Sequence, residues 1–296
     1  MLIDTHSHLN FSAFDSDRNK VIKKCLDQNV WIINVGTNYD TSKKAIEITE
    51  KHSKGVYAAI GLHPINLETN LIKQKFDESE GGRFEKEFDY EKYKKLGLSS
   101  KKVVAIGEIG LDYYYKPKSK RKLELFKQKQ KDLLLQEIKL AQNLNLPIIF
   151  HCRLALNDLI ATLEVATLEV RPPEGGQTSE GVIPEGVIHC FTGNWEQAKK
   201  FLDMGFYLGF NGIIFKLDLI EVIKKTPLDK ILLETDCPFL TPPLPRRSPT
   251  ESGTKAGRNE PIFIKYIAEH IAKIKNIPIE RITEVTTKNA KELFKI

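Results

Sequence analysis

The chain contains seven histidines, and five of them (His6, His8, His63, His151 and His189) stand at or just past the ends of short apolar runs. Two carboxylates, Glu108 and Asp236, close runs of the same kind, whereas His52 and His270 fall in helix-like stretches. Imidazole and carboxylate without thiolate suit Zn, Mn, Fe or Co, and Mg through the carboxylates. A buried group made of His6, His8, Glu108, His151, His189 and Asp236 is expensive unless a cation neutralises it. The donors are too many for one tetrahedral ion. Two divalent ions sharing a carboxylate fit better, with Glu108 the expected bridge. Such a pair lowers the pKa of bound water and clamps the attacking and leaving oxygens about 3.5–4 Å apart. The expected chemistry is hydrolysis of an ester, amide or phosphodiester, with Asp236 as proton acceptor.

The elements that must position these groups follow from the runs themselves: Leu2–Asp4, Val30–Gly36, Val56–Gly61, Val103–Glu108, Pro147–His151, Gly186–His189, Phe206–Phe210 and Ile231–Asp236. Helix-like stretches separate them, long enough for the crossovers that parallel strands need. Lys120–Asn143 repeats its apolar residues near every 3.6 positions. Asn259 is the expected cap of a helix carrying Phe263, Ile264, Ile267, Ala268, Ile271 and Ile274, and Ile282 to Leu293 patterns as a last amphipathic helix. Eight such units predict a (β/α)8 TIM barrel, whose active site lies at the C-terminal ends of the strands. An open doubly wound sheet would show a glycine-rich loop after its first strand; here His6-Ser7-His8 follows. Side-chain alternation predicts that Asp4, His6 and His8 share a side, as do Glu234 and Asp236. It also predicts that Cys152, Cys190 and Cys237 point toward the helices as small hydrophobes.

Two stretches depart from the pattern. Leu67–Lys102 is dense in charge and reads as a solvated helical excursion, and Ala161–Val187 opens with a tandem Ala-Thr-Leu-Glu-Val before a Pro/Gly-rich tail. Both are expected to be insertions in a single domain spanning 1–296. Apolar residues at 41% and charged residues at 28% exclude a wholly disordered or low-complexity chain. Four cysteines without a C-x-x-C pair suggest reduced thiols and a cytoplasmic location, or a nuclear one in a eukaryote. No signal peptide or membrane span is expected.

Asp4-Thr-His-Ser-His8, Gly61-Leu-His63-Pro, Gly107-Glu-Ile-Gly-Leu-Asp112-Tyr-Tyr, His151-Cys-Arg153, His189-Cys-Phe-Thr-Gly193, Glu234-Thr-Asp236-Cys-Pro238, Arg258-Asn-Glu-Pro261 and Thr287-Lys-Asn-Ala290 occur in that order. Together they resemble the TatD family of metal-dependent deoxyribonucleases from Met1 to Phe294. The resemblance implies a barrel with two divalent ions (Mg, Mn or Zn) and hydrolysis of DNA phosphodiesters by a two-metal-activated water, often as a 3′–5′ exonuclease. It assigns His6, His8, Glu108 and Asp236 to one ion and Glu108, His151 and His189 to the other, and sets His63 and Arg153 against the substrate phosphate.

Further candidates come from the residues. Asp112 reads as an orienter of a ligand histidine or a turn residue, Tyr114 as a base-stacking or a packing residue, and Thr192 as a donor to phosphate. The chain carries +6, and the loops Lys116–Lys122 and Pro245–Arg258, the latter with Arg258, hold more than that surplus between them. Both follow strands bearing predicted ligands, so a DNA partner is expected at that mouth, with no membrane and no obligate protein partner. The competing expectations are a binuclear hydrolase of a small ester or amide, of the amidohydrolase or lactonase kind, and a non-catalytic metal-dependent binding protein. Many binuclear amidohydrolases place a carboxylated lysine where this chain has Glu108, which weighs against the first.

Overall fold

The computed structural model describes residues 1–72, 83–169, 183–243 and 257–296. Strands β1 (Leu2–Ser7), β2 (Val30–Val35), β3 (Val56–Ile60), β4 (Val103–Asp112), β5 (Ile148–Arg153), β6 (Gly186–Ile188), β7 (Tyr207–Phe210) and β8 (Ile231–Leu233) form one parallel sheet in chain order. Helices α1 (Arg18–Asp27), α2 (Tyr39–Thr49), α3 (Tyr90–Leu98), α4 (Lys120–Leu144), α5 (Leu156–Glu169), α6 (Trp195–Asp203), α7 (Ile220–Lys225), α8 (Ile264–Lys275) and α9 (Ile279–Phe294) complete a nearly closed (β/α)8 barrel.

Strands covered on both faces are apolar throughout rather than alternating, and every residue of β4 is buried. One face of the strands, with Ile32, Ala58, Ile60, Phe150 and Leu208, packs beneath the helices. The other contributes Ile3, Ile33, Ala59, Ala105, Ile149, Val187 and Leu232 to a second cluster, which Ala290, Leu293 and Phe294 of α9 cover. This second cluster fills the barrel interior, and α9 plugs the end opposite the ligand-bearing strand ends. Each fully buried branched side chain there is worth about 1.5–3 kcal/mol.

The seam between β1 and β8 is tied through residues just past β8. Asp236 N–H donates to His6 O (2.8 Å) and His8 N–H donates to Cys237 O (2.9 Å). The Asp4 carboxyl accepts Thr235 N–H at 2.8 Å and the Thr235 hydroxyl at 2.5 Å. Burial pushes that carboxyl up to about 8 against the lowering effect of these bonds.

Several expectations change. Ile3 faces the interior, so alternation turns Asp4 away, and His6 returns inward because the pairing of β1 with β2 slips between Asp4 and Ser7. Asp4 therefore closes the seam instead of joining the histidines. β4 runs four residues past Glu108 across a second slip, between Gly107 and Ile109. β8 ends at Leu233, three residues short of Asp236. The charged stretch after β3 is not simply solvated: Phe88, Tyr93 and Leu96 are in the core, and α3 is the regular crossover helix before β4. The tandem repeat runs along α5 as far as Glu169; Val170 and the Pro/Gly-rich tail lie outside the described residues. Asn259 does not cap a helix; its amide donates to Thr235 O (2.8 Å) and Phe239 O (2.6 Å).

Candidate metal centre

The two slips matter most where ligands are needed. A bulge inserts one residue, bends the strand and re-aims a side chain. His6 and Glu108 sit on the two bulges and both point into the mouth. His8 is set by a contact of its Nδ1 with Val35 O at 2.9 Å, which leaves Nε2 free to face inward. Asp236 has φ +56°, a left-handed turn just beyond β8 that brings its carboxylate back over the barrel axis.

His6 Nε2, His8 Nε2, Glu108 Oε2 and Asp236 Oδ1 converge. The separations are 3.1 Å between the two imidazoles and 3.3 Å and 3.9 Å from His6 to Glu108 and Asp236. From His8 they are 3.8 Å to Glu108 and 3.4 Å to Asp236. Donors held about 2.1 Å from a cation stand about 3.4 Å apart in a tetrahedral shell and about 3.0 Å in an octahedral one. His6, His8 and Glu108 come closest to that spacing and form a group able to hold a cation, with Asp236 3.4 Å from His8.

The other oxygen of the same carboxylate faces a second group. Glu108 Oε1 lies 2.6 Å from His151 Nδ1 and 3.7 Å from both His63 Nε2 and His189 Nε2. His6 and His189 stack at 3.5 Å between ring centroids, which holds the two groups side by side. Carboxylates stand behind two of the rings. Asp112 Oδ2 is 3.1 Å from His151 Nε2, and its other oxygen accepts Tyr114 N–H. Glu234 Oε1 is 2.9 Å from His189 Nδ1; it accepts Cys190 N–H at 2.7 Å and the Asn211 amide at 3.1 Å. Gly209 makes this possible, because a Cβ there would stand 2.6 Å from Glu234 Oε2.

The electrostatics favour added positive charge. Burial opposes ionisation throughout, yet His6, His63 and His151 hold Glu108 well below the usual carboxylate range, and the bond from His8 lowers Asp236. Against burial, Glu108 and Asp112 raise His151 to about 10, and Glu234 raises His189 to about 9. His63 moves the other way, down to about 3, through burial and the neighbouring His151. The carboxylates thus favour a positive charge on His151 and His189, while burial and neighbouring imidazoles oppose one on His6 and His63.

The mouth above these groups is a cavity of about 890 Å3 lined by His8, His63, Glu108, His151, His189 and Asp236. Of the other predicted residues, Asp112, Arg153 and Thr192 line it too. Tyr114 does not: it lies under the Arg153 guanidinium, 3.6 Å from ring centroid to Cζ, while Tyr115 reaches the cavity. Arg258 is turned away, paired with both oxygens of Asp17 at 2.9 and 2.7 Å and with Glu260 at 3.2 Å. Most of the second basic loop lies outside the described residues. Cys237 joins the apolar layer as expected. Cys152 packs in that layer too but also lines the cavity, and Cys190, at φ +46° past the end of β6, lines it beside His189 and Asp236. The sequence reading missed Cys190 and the place of Glu234 beside His189; continuing the alternation from Leu232 in β8 to Glu234 just past its end was the signal for the latter.

Residues 3–295 match the family described as TatD related DNase. The chain belongs to this family. It is similar to a protein of Bacillus subtilis named as an uncharacterized metal-dependent hydrolase, YabD, at 39% identity across all of both chains. It is 30% identical to a Pantoea ananatis protein named 3′-5′ ssDNA/RNA exonuclease TatD, with 99% of each covered. Among solved structures, YjjV, a TatD homologue of Escherichia coli, superimposes with a TM-score of 0.74 at 26% identity, covering 100% of this chain and 98% of that one. The TatD-family chain is thus a metal-dependent hydrolase by kinship. Among the described residues no helix is long and apolar enough to cross a membrane.

Proposed function

We propose that this chain hydrolyses DNA phosphodiester bonds as a 3′–5′ exonuclease with two divalent cations at the barrel mouth. The observation that carries this reading is the division of the Glu108 carboxylate, with Oε2 toward His6 and His8 and Oε1 toward His63, His151 and His189. A carboxylate so placed suits a bridge. His6, His8, Glu108 and Asp236 would hold one cation, and Glu108, His151 and His189 the other. Cations held there would supply Lewis acidity, lowering the pKa of a bound water and stabilising charge on the attacking and leaving oxygens.

The chain's own groups do the rest. Asp236 keeps Oδ1 toward His6 and His8 and Oδ2 4.0 Å from His189 Nε2, so Oδ2 is the acceptor for the proton of the attacking water. Asp112 fixes the His151 ring. Arg153, exposed on the rim above the centre, takes a phosphate oxygen; Thr192 offers its hydroxyl beside it. Lys116 and Lys118 just before α4, with Lys120, Arg121 and Lys122 in its first turn, add sequence-independent attraction for the backbone. The name of the Pantoea ananatis relative supports a nucleic acid as the substrate.

The test is degradation of end-labelled single-stranded DNA and of damaged duplex by pure protein across a panel of Mg2+, Mn2+ and Zn2+. Loss of label from the 3′ end, abolished by EDTA, by Glu108→Ala and by Asp236→Asn, is expected. Intact DNA under every metal overturns the nuclease reading and directs attention to small esters and amides.

A further inference from the structure

The mouth of the barrel is two-sided. In a ring of eight strands in chain order, β8 and β1 stand opposite β4 and β5. The arc following β4, β5 and β6 presents Asp112, Tyr115, Arg153 and Thr192, with Cys152 and Cys190 among them. The arc from β7 through β8 to β1 presents Ile213, Leu240, Phe239 and Phe11. The metal ligands lie on the floor between a polar wall and an apolar one.

The apolar wall is held rigidly despite its exposure. Phe239 is 38% exposed, but its N–H donates to Asp236 O at 2.9 Å and its carbonyl accepts the Asn259 amide at 2.6 Å. Leu240 follows at φ +52°, with its carbonyl in the space that a side chain on Gly212 would need. The Phe239 ring meets Phe11 edge-on at 6.3 Å, and Phe11 in turn stacks on His8 at 4.4 Å. The half-exposed ring stands three residues from a predicted metal ligand, on the rim of the same cavity.

A nucleotide is two-sided in the same way, with an anionic phosphate at one end and an apolar base face at the other. We propose that Phe239, with Leu240 and Ile213 beside it, is the stacking platform for the nucleobase of the nucleotide whose phosphate enters the metal centre. This rests on the phosphodiesterase reading above and adds a specificity residue to it. The cavity of about 890 Å3 lies within the range of about 300–1,000 Å3 usual for small-molecule sites, room for a nucleotide against the wall. Stacking uses the face that every base has, so the wall selects for the presence of a base and not for its identity.

The test is equilibrium binding to the full chain of the four deoxynucleoside 5′-monophosphates and of 2-deoxyribose 5-phosphate, with cation affinity measured alongside. The wild-type protein binds the nucleotides more tightly than the sugar phosphate by about 5- to 150-fold, with little difference among bases. Phe239→Ala collapses that ratio toward one, and Phe239→Tyr restores it. The proposal is overturned if the wild type shows no preference, or if Phe239→Ala keeps it. It is also overturned if Phe239→Ala weakens cation binding as much as nucleotide binding, which would make the ring a support for the Asp236 turn. Base preference in a protein that leaves DNA intact would sink the nuclease reading and leave the base wall standing.

Discussion

Glu234→Gln isolates the carboxylate that stands behind His189. The side chain is fully buried; Oε1 accepts Cys190 N–H at 2.7 Å and the Asn211 amide at 3.1 Å and lies 2.9 Å from His189 Nδ1 as an ion-pair contact. Glutamine keeps the volume, and its carbonyl keeps the first two bonds. It removes the negative charge from His189 and puts an NH2 where Oε2 now lies without a hydrogen-bond partner. Loss of a carboxylate behind a ligand histidine costs about 10- to 100-fold in metal affinity, or about 1.4–2.7 kcal/mol at 1.36 kcal/mol per decade. The unpaired amide adds a stability cost of about 1–3 kcal/mol. Calorimetric titration of chelator-stripped protein reads the first, and thermal melting reads the second. Gly209→Ala approaches the same carboxylate from below. Its Cβ would lie 2.6 Å from Oε2 and 2.9 Å from Cδ, so it must shift Glu234, at about 1–3 kcal/mol and with a similar loss of cation affinity. If Glu234→Gln binds cations as the wild type does, His189 does not depend on this carboxylate for its ligand geometry, and the reasoning fails.

Three further outcomes are expected. Glu137 is buried on α4, with Oε1 accepting Leu62 N–H at 2.8 Å next to His63, and burial pushes its pKa well above the usual value. A raised folded-state pKa gives stability that is complete below the unfolded value and is lost as pH rises through the folded one, so the melting temperature of Glu137→Gln should gain on that of the wild type as pH climbs from 5 to 8; a constant difference would show that Glu137 does not titrate with folding. Arg258→Ala leaves Asp17 and Glu260 without their shared cation and should cost about 3 kcal/mol of stability with no change in KM for DNA, whereas a raised KM on an unchanged melt would restore it to the substrate site. Saturating divalent cation at about 100 times its Kd should add about 2.7 kcal/mol to stability, and a melt indifferent to EDTA would contradict a cation held by the cluster.

Sequence patterning reaches most of this architecture because two regularities survive folding. Strands covered on both faces are short unbroken apolar runs, so Val30, Val56, Ile148 and Ile231 mark their strands from composition alone. Histidines placed at the ends of such runs must share one end of a parallel barrel. Alternation then fails where the backbone leaves regular geometry. The slips at His6 and Glu108 reverse the face on which a residue emerges, and the left-handed residues Cys190 and Asp236 lie beyond the strands altogether. Arg258 is a different case. Its position in a basic loop suggests substrate, but Asp17, 241 residues away in sequence, claims its guanidinium, and a pairing that distant leaves no local trace. Tyr114 and Tyr115 are neighbours with the same chemistry, and only the course of the chain after β4 decides which one reaches the cavity.

The seam between the first and last strands gives the centre a property that none of its ligands has alone. His6 and His8 precede Asp236 by more than two hundred residues, and the Asp4–Thr235 tie spans 231. A chain synthesised from its N-terminus displays the imidazoles early and gains the matching carboxylate only when the ring is nearly finished. An N-terminal fragment that stops short of Asp236 cannot bring the four groups together, so on the proposed reading the centre forms only with ring closure. A cation seated there fastens the oldest part of the chain to one of the newest. Its removal should therefore raise amide exchange first along this seam, ahead of the β4–β5 pairing on the far side of the barrel.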